Sequence, residues 1–184
     1  MATERPATVG AALREHLREH GLPDDSGVSL RWVRLRFLGL PLVFPNFDAR
    51  RAVLVHHDVH HLLTGYGTSW RGEAEIGAFE IASGCKHHWA AWLFNLGGFS
   101  FGLCIAPRRT WRAFVRGRRC TNFYGRPAAD VLRTDTAEAR HTLGLDRPAP
   151  VGSVRDALAF VGWVVLVSAA PVGAVALLLA AAIG

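Results

Sequence analysis

Cysteine, lysine and amino-terminal apolar residues are scarce in this sequence. Its three cysteines form no CxxC pair, which argues against a disulfide scaffold and a cysteine zinc site and is typical of a reducing compartment. Lys86 is the only lysine, so arginine carries nearly all of the positive charge behind the formal net charge of +6. Residues 1–9 contain Glu4 and Arg5 and no long apolar run, so a cleaved signal peptide is not expected.

The excess of arginine has two interpretations. Arginine stays charged and binds carboxylates and phosphates bidentately, which predicts anionic partners such as an anionic membrane surface. The same excess, together with abundant alanine and glycine, also follows from a genome of biased composition. Nucleic acid is not an expected partner, because the arginines lie beside apolar, tryptophan-bearing segments.

Charge is absent from the carboxyl-terminal segment. No charged residue follows Asp156 as far as Gly184. A helix of this length crosses the roughly 30 Å hydrocarbon core of a bilayer, so residues 157–184 are predicted to form a transmembrane tail. The alternative is a buried core helix. Arginines in the loops before the tail predict that the preceding domain, residues 1–150, lies in the cytoplasm.

Helical patterns predict an all-α fold for residues 1–150. Four segments place apolar residues at helical spacing and end at or just before a glycine, which is a common helix stop. The third segment has Thr68 or Ser69 as its cap, and the fourth has Thr136. The four helices are predicted at 11–21, 49–64, 69–83 and 136–144.

Two further segments allow more than one structure. Residues 30–44 mix aromatic residues with arginine, which is typical either of a membrane-interface helix or of a core element with a cationic outer face. Residues 89–106 carry no charge. They predict either a short membrane span or a buried or re-entrant hairpin broken at Gly97 and Gly98.

The motif H-D-x-x-H-x11-E carries the chemistry of the sequence. It comprises His57, Asp58, His61 and Glu73. On one helix, the two histidines lie one turn apart and Asp58 lies three residues from His61, so all three side chains can face one point. A turn that folds the next helix back antiparallel brings Glu73 to the same point. Two imidazoles and two carboxylates predict a site for a divalent metal, with zinc, iron and manganese as the choices.

Glycines support this interpretation, and the histidines also allow a simpler one. Gly67 and Gly72 in and after the turn are predicted to permit a close approach of the two helices. Alternatively, the four histidines at 56, 57, 60 and 61 are the solvated and packing faces of a helix. His56 and His60 are weaker ligand candidates because they lie on a neighbouring face. Residues 87–88, both histidine, are predicted to be polar residues at an interface rather than ligands.

The segment HHDVHHLLTGYGTSWRGEAEIGAFE resembles the signature of the coenzyme Q biosynthesis protein 4 family. The match covers His57, Asp58, His61, the LTGYGT turn, Gly72–Glu73 and Phe79–Glu80. The later segment RGRRCTNFYGRPAADVLRTDTAEARHTLGL resembles the closing region of the same family. Together the resemblance spans residues 49–146.

The resemblance implies an all-helical, zinc-binding protein of ubiquinone biosynthesis at the cell inner membrane. Its implied substrate is a prenylated aromatic lipid, and its implied partners are other quinone-biosynthesis proteins. The implied role is organisation of the biosynthetic complex and, in some members, catalysis of the oxidative removal of the ring carboxyl group. Two alternatives stay open. The first is a non-catalytic scaffold held together by the metal. The second is a small metallopeptidase, because H-D-x-x-H is similar to the H-E-x-x-H motif of metalloproteases.

Overall fold

The computed structural model describes residues 8–37 and 40–183, with side chains described as far as residue 169 except at 35–37. Within this range the fold is mostly helical, with eight helices and one two-stranded sheet. In chain order the elements are α1 (Val9–Glu19), β1 (Trp32–Phe37), β2 (Leu40–Pro45), α2 (Asp48–Thr64), α3 (Trp70–Ser83), α4 (Trp89–Ile105), α5 (Pro107–Gly117), α6 (Ala128–Arg133), α7 (Thr136–Leu143) and α8 (Val154–Ile183).

Residues 30–44 contain a strand hairpin rather than a helix, which corrects the all-α prediction. β1 and β2 pair antiparallel, with Trp32 opposite Pro45. The segment 33–37 alternates apolar residues with arginine, and this period of two suits a strand and not a helix. Proline is tolerated at Pro41 and Pro45 because β2 has no second neighbouring strand in the described part of the chain.

The predicted helices on either side of the motif turn are confirmed. α2 ends at Gly65, whose φ of 78° is left-handed and favours glycine. α3 is capped by Ser69, whose side chain accepts a hydrogen bond from the Gly72 N–H, and it stops at Gly84. In α7 the cap is Asp135 rather than Thr136, because the Asp135 backbone is extended and its carboxylate accepts the first free N–H groups of the helix.

Helix α3 lies at the centre of the domain. Its residues from Ala74 to Ile81 are all buried, and Phe79 and Ile76 are fully inaccessible. One core cluster joins α3 to α1, α2 and α7. Its members include Val9, Leu13, Leu17, Val59, Leu63, Ile76, Phe79, Phe123, Val131 and Leu143.

Helix α4 runs unbroken through Gly97 and Gly98, so the predicted break there is wrong. Gly98 and Gly77 serve packing between helices, whereas a Cβ on Gly97 would meet nothing within 4 Å. A Cβ on Gly98 would lie 3.0 Å from the Glu73 carbonyl oxygen, and a Cβ on Gly77 would lie 2.9 Å from the Asn95 carbonyl oxygen. The absence of side chains lets the α3 and α4 backbones approach without bending α4.

The predicted tail belongs to α8, which begins earlier than predicted, at Val154. Its first turns pack on the domain, with the Phe160 ring 5.2 Å from Phe114 and the Trp163 ring 5.6 Å from Trp92, centroid to centroid. Of the helices searched over the described residues, none is long and apolar enough to cross a membrane. The side chains of residues 170–184 of the predicted tail lie outside the described residues.

A buried ion cluster fixes the start of α8, and the sequence did not indicate it. Asp156 is fully buried. It accepts hydrogen bonds from Arg118 at 2.7 Å, from both terminal nitrogens of Arg119 and from Ser153. These contacts lower the pKa of Asp156 below its ordinary value, chiefly through the Arg119 hydrogen bonds, so the carboxylate holds α8 to the end of α5 as an anion.

Candidate metal centre

Three of the four predicted ligands converge on one point. His57 and His61 lie one turn apart on α2, and Glu73 lies in the first turn of α3. The two histidine Nε2 atoms are 3.2 Å apart. Glu73 places Oε2 3.5 Å from His57 Nε2 and Oε1 3.5 Å from His61 Nε2. The structure therefore supplies two imidazole nitrogens and one carboxylate within reach of a single ion.

The spacing of these atoms fits a metal site. Zinc bonds of about 2.0–2.1 Å in a tetrahedron separate the ligand atoms by about 3.3–3.4 Å. The separations here are 3.2 and 3.5 Å. Three protein ligands leave a tetrahedral position for water or substrate, as in catalytic zinc sites. Iron and manganese are also compatible with two imidazoles and a carboxylate.

Both histidine rings are oriented by hydrogen bonds at Nδ1. His57 Nδ1 donates to Glu80 Oε2 at 3.2 Å, and His61 Nδ1 donates to the Tyr66 carbonyl oxygen at 2.9 Å. A ring that carries its proton on Nδ1 presents the Nε2 lone pair. The two Nε2 atoms therefore face the common point, and each presents a lone pair there when its ring is neutral. Metal-binding histidines usually donate a hydrogen bond from their other ring nitrogen to such a carboxylate or carbonyl group.

Glu80 is the centre of a buried polar network. Its carboxylate is fully inaccessible and accepts hydrogen bonds from four side chains. Besides His57, the donors are His60 Nδ1 at 2.6 Å, Tyr124 Oη at 2.6 Å and Asn95 Nδ2 at 2.5 Å. A carboxylate with four donors stays ionised although it is buried. The sequence reasoning gave Glu80 no role, although its spacing of seven residues from Glu73 places the two acids on one face of α3.

Charge at the centre is unbalanced without a cation. Burial alone would lower the pKa of His57, but the carboxylates of Glu80 and Glu73 raise it well above its ordinary value. Burial alone would raise the pKa of Glu73, but hydrogen bonding and charge from His57 and His61 lower it to about 2. The pKa of Glu80 is also lowered, against burial, by His57 and His60. Two ionised acids flank the rings, so the centre attracts a proton or a metal cation.

Asp58 does not join the three converging ligands. It lines the same cavity as His57, His61 and Glu73, and it is half-buried. Burial raises the pKa of Asp58, and the neighbouring histidines oppose that rise. Its carboxylate therefore faces the space beside the centre rather than the ion position that the other three define.

The remaining histidines of the motif region have structural roles. His60 is fully buried and bridges α2 to a later loop, because its Nε2 accepts a hydrogen bond from the Phe123 N–H at 3.0 Å. His56 Nε2 donates to the Arg126 carbonyl oxygen at 2.8 Å. His88 Nε2 donates to the Tyr124 carbonyl oxygen at 3.0 Å. These bonds attach the loop after α5 to α2, which carries two of the ligands, and to the start of α4.

The two helices meet differently from the predicted close antiparallel pair. α3 packs most closely against α4 and α5, and it contacts α2 through side chains, which are those of the shared apolar core and those of Glu73 and Glu80. The predicted role of the two glycines holds only within the turn, because a Cβ on Gly72 would overlap the Gly67 carbonyl oxygen and not α2. A Cβ on Gly67 would meet open space.

A cavity of about 460 Å³ adjoins the centre. Its wall includes His57, His61 and Glu73. Among the residues that line it, Arg50 is the only arginine or lysine. Much of the remaining wall is apolar, with Leu22, Phe44, Val53, Leu54, Trp70 and Phe94 among the lining residues.

Arg50 is held in this wall by neutral contacts. It donates to Asn46 Oδ1 at 2.9 Å, and its guanidinium lies 5.9 Å from the centroid of the Phe94 ring. Burial lowers the pKa of Arg50, the charge of nearby Asp58 opposes that fall, and Arg50 remains a cation at neutral pH. Since no carboxylate in the described part of the chain forms an ion pair with it, Arg50 can bind an anionic group that enters the cavity.

Comparison of this chain with protein-family models, with curated proteins and with solved structures finds no match.

Proposed function

We propose that this protein binds one divalent metal through His57, His61 and Glu73 and acts on an amphipathic aromatic acid in the adjoining cavity. The observation that carries the proposal is the convergence of two imidazole Nε2 atoms and one carboxylate at 3.2 to 3.5 Å, with both rings oriented by hydrogen bonds at Nδ1. Zinc is the first choice, with iron and manganese as the others. Asp58, predicted as a fourth ligand, is assigned to the cavity wall.

The cavity supports an acid with a long apolar part as the substrate. Apolar side chains suit a prenyl chain, and Arg50 suits a carboxylate, which it can bind with two parallel hydrogen bonds. A metal bound at the centre would supply Lewis-acid or redox activation next to the bound substrate. The role of Arg50 is to bind and orient the acid, and the role of Phe94 and its apolar neighbours is to exclude water from it.

Together with the resemblance to the coenzyme Q biosynthesis protein 4 family, these features support oxidative decarboxylation of a prenylated benzoate ring. In the balanced reaction, the carboxyl carbon leaves as carbon dioxide and one oxygen atom of O₂ becomes the ring hydroxyl. The second oxygen atom leaves as water, with two electrons from an external reductant and two protons, and this reaction would require iron or manganese at the centre because zinc is not redox-active. We place this activity in ubiquinone biosynthesis, beside other enzymes of the same pathway.

We also propose that the protein works at an anionic membrane surface, with its amino-terminal domain in the cytoplasm and its tail at the cell inner membrane. Exposed apolar side chains on the hairpin, including Trp32, Leu40 and Val43, support membrane contact. The exposed arginines of α5 support attraction to anionic lipid. The uncharged sequence from Ala157 to Gly184 supports anchoring by the tail.

The function is tested by metal content and turnover. Detergent-purified protein is expected to contain close to one equivalent of bound metal and to convert a prenylated hydroxybenzoic acid to the decarboxylated, hydroxylated product. Arg50→Gln should raise the KM for the acid more than it changes kcat, since Arg50 binds the substrate. Absence of both metal and turnover in wild type would reject the proposal.

A matched variant separates metal binding from folding. Glu73→Gln keeps the shape of the side chain and removes a ligand charge, whereas Glu138→Gln makes the same change in the first turn of α7, away from the centre. With metal, Glu73→Gln should melt below wild type, and Glu138→Gln should not. In chelator, the difference between Glu73→Gln and wild type should vanish. A difference that persists in chelator would assign Glu73 to helix packing.

A hydrolase is the second candidate, because Asp58 stays outside the three ligands. In H-E-x-x-H metalloproteases the acid after the first histidine is a general base and not a ligand. Asp58 occupies that position and lines the cavity. Peptide hydrolysis that a chelator inhibits and that Asp58→Asn abolishes would favour this candidate over decarboxylation.

A scaffold without catalysis is the third candidate, and the buried network around Glu80 favours it. Metal at His57 would connect α2 to α3 through both Glu73 and Glu80. A protein that uses metal only for stability should unfold when the metal is removed. A catalyst should remain folded in chelator and lose its activity.

A further inference from the structure

The last turn of α1 carries a second group of metal-ligating side chains. His16, Glu19 and His20 lie at positions i, i+3 and i+4, which share one face of a helix. Each offers one ligand atom, and these atoms lie within 4.8 Å of one another. The two imidazole rings have their centroids 4.2 Å apart. This group shares no residue with the centre formed by His57, His61 and Glu73.

The hydrogen bonds leave ring nitrogens available to a metal. His20 Nδ1 donates to the His16 carbonyl oxygen at 2.8 Å, so His20 presents the lone pair of Nε2. His16 Nε2 is buried and has no hydrogen-bond partner in the described part of the chain. Buried polar atoms without a partner are uncommon. A cation bound through His16 Nε2 would give this nitrogen a partner.

The local charge also favours a cation. The carboxyl-terminal end of a helix carries a partial negative charge, and His16, Glu19 and His20 lie at that end of α1. Glu19 adds a full negative charge. Burial, and then the charges of His20 and His61, lower the pKa of His16, and the charge of Glu19 opposes that fall. Metals bind neutral imidazole in preference to imidazolium.

We propose that His16, Glu19 and His20 form a second site for a divalent transition metal such as zinc, nickel or copper. Imidazole ligands suit all three of these ions. Glu19 and His20 are exposed, so the ion exchanges directly with solvent. Because the two exposed side chains lose rotamer freedom on binding, this site binds metal more weakly than the half-buried centre on α2 and α3.

The number of sites is measured by calorimetric titration of the metal-stripped, full-length protein with zinc at physiological ionic strength. Wild type is expected to bind two equivalents, one tight and one weak. His20→Ala should lose the weak equivalent and keep the tight one. Glu73→Gln should weaken the tight equivalent and keep the weak one, so failure of the α1 site and failure of the proposed function give different results.

A matched pair of variants on α1 controls for charge and helix stability. Glu19→Gln and Glu15→Gln remove the same charge from the same helix, but only Glu19 belongs to the cluster. Glu19→Gln should weaken the second equivalent at least tenfold, and Glu15→Gln should leave it unchanged. A single equivalent in wild type, two equivalents in His20→Ala, or equal effects of the two glutamine variants would each overturn the proposal.

Discussion

Replacing Gly72 by alanine tests whether the turn between α2 and α3 sets the geometry of the metal centre. Gly72 immediately precedes the ligand Glu73, and a Cβ at this position would overlap the Gly67 carbonyl oxygen and lie 2.5 Å from the Gly67 carbonyl carbon. Both atoms belong to the backbone, so no side chain can rotate away. The start of α3 must therefore move by roughly 1 Å, and Glu73 moves with it.

The magnitude follows from two opposing contributions. Overpacking of this kind costs about 1–3 kcal/mol. The higher helix propensity of alanine returns up to about 1 kcal/mol. We therefore expect a net destabilisation of about 1–2 kcal/mol in the metal-free protein. Metal affinity should fall by about 10-fold to 100-fold, as it does when support for a ligand is lost.

Gly67→Ala is the matched control, because a Cβ at Gly67 meets nothing within 4 Å and its φ is not positive. This variant should keep wild-type metal affinity and be at least as stable as wild type, since alanine restricts the unfolded chain. The assays are urea unfolding of the metal-free proteins and zinc competition against a chromophoric chelator. Equal zinc affinities for Gly72→Ala and Gly67→Ala would refute the reasoning.

Three further predictions follow from the network around the centre. Glu80→Gln should lower the free energy of unfolding by about 3–5 kcal/mol in urea titrations, because it removes the charge from a buried carboxylate whose hydrogen bonds are all made. The control Glu138→Gln, at an exposed position, should change the free energy of unfolding by under about 0.5 kcal/mol. Equal losses in the two variants would contradict this prediction. Metal binding at pH 7 should release a proton from His57, because the pKa of His57 is raised. Calorimetric metal titrations in buffers of different ionisation enthalpy should therefore give different apparent heats of binding. Identical heats in all buffers would contradict this prediction. In chelator, the stabilisation due to His57 should be present below about pH 6.5 and lost as the pH rises through the raised pKa of His57 in the folded protein. The stabilisation due to Glu73 should be present above about pH 4.5 and lost as the pH falls through about 2. Thermal melts that show no decline in stability at alkaline pH would exclude the effect of His57.

The helices that carry the centre could be predicted from the sequence because local signals determine them. These signals depend only on neighbouring residues, and they are the glycine after α2, Ser69 before α3 and the spacing of His57 and His61. The same local reasoning gave three ligands that the structure brings together. It included Asp58, because a helix allows that side chain to face the same point, but the position of α3 decides which acid reaches the ion.

Features that depend on tertiary packing could not be predicted from the sequence. Gly97 and Gly98 are typical of a break, but α4 continues through both, and Gly98 lies where the α3 backbone approaches α4. His60 and Glu80 are recognisable as a buried pair only when α2 and α3 are placed together. The hairpin at 30–44 does have a local signal, because its arginines recur with a period of two, which suits a strand, although their charge also suits a membrane-interface helix.

Zinc K-edge X-ray absorption tests the central claim most directly. The protein is loaded with one equivalent of zinc, which fills the tighter site, and wild type is compared with His61→Ala. Our account predicts two imidazole nitrogens and at least one oxygen at about 2.0–2.1 Å in wild type. For His61→Ala it predicts a single imidazole from His57 or loss of the bound ion. A wild-type spectrum without imidazole scattering, or one that is identical in His61→Ala, would contradict the assignment of His57, His61 and Glu73 as the metal ligands.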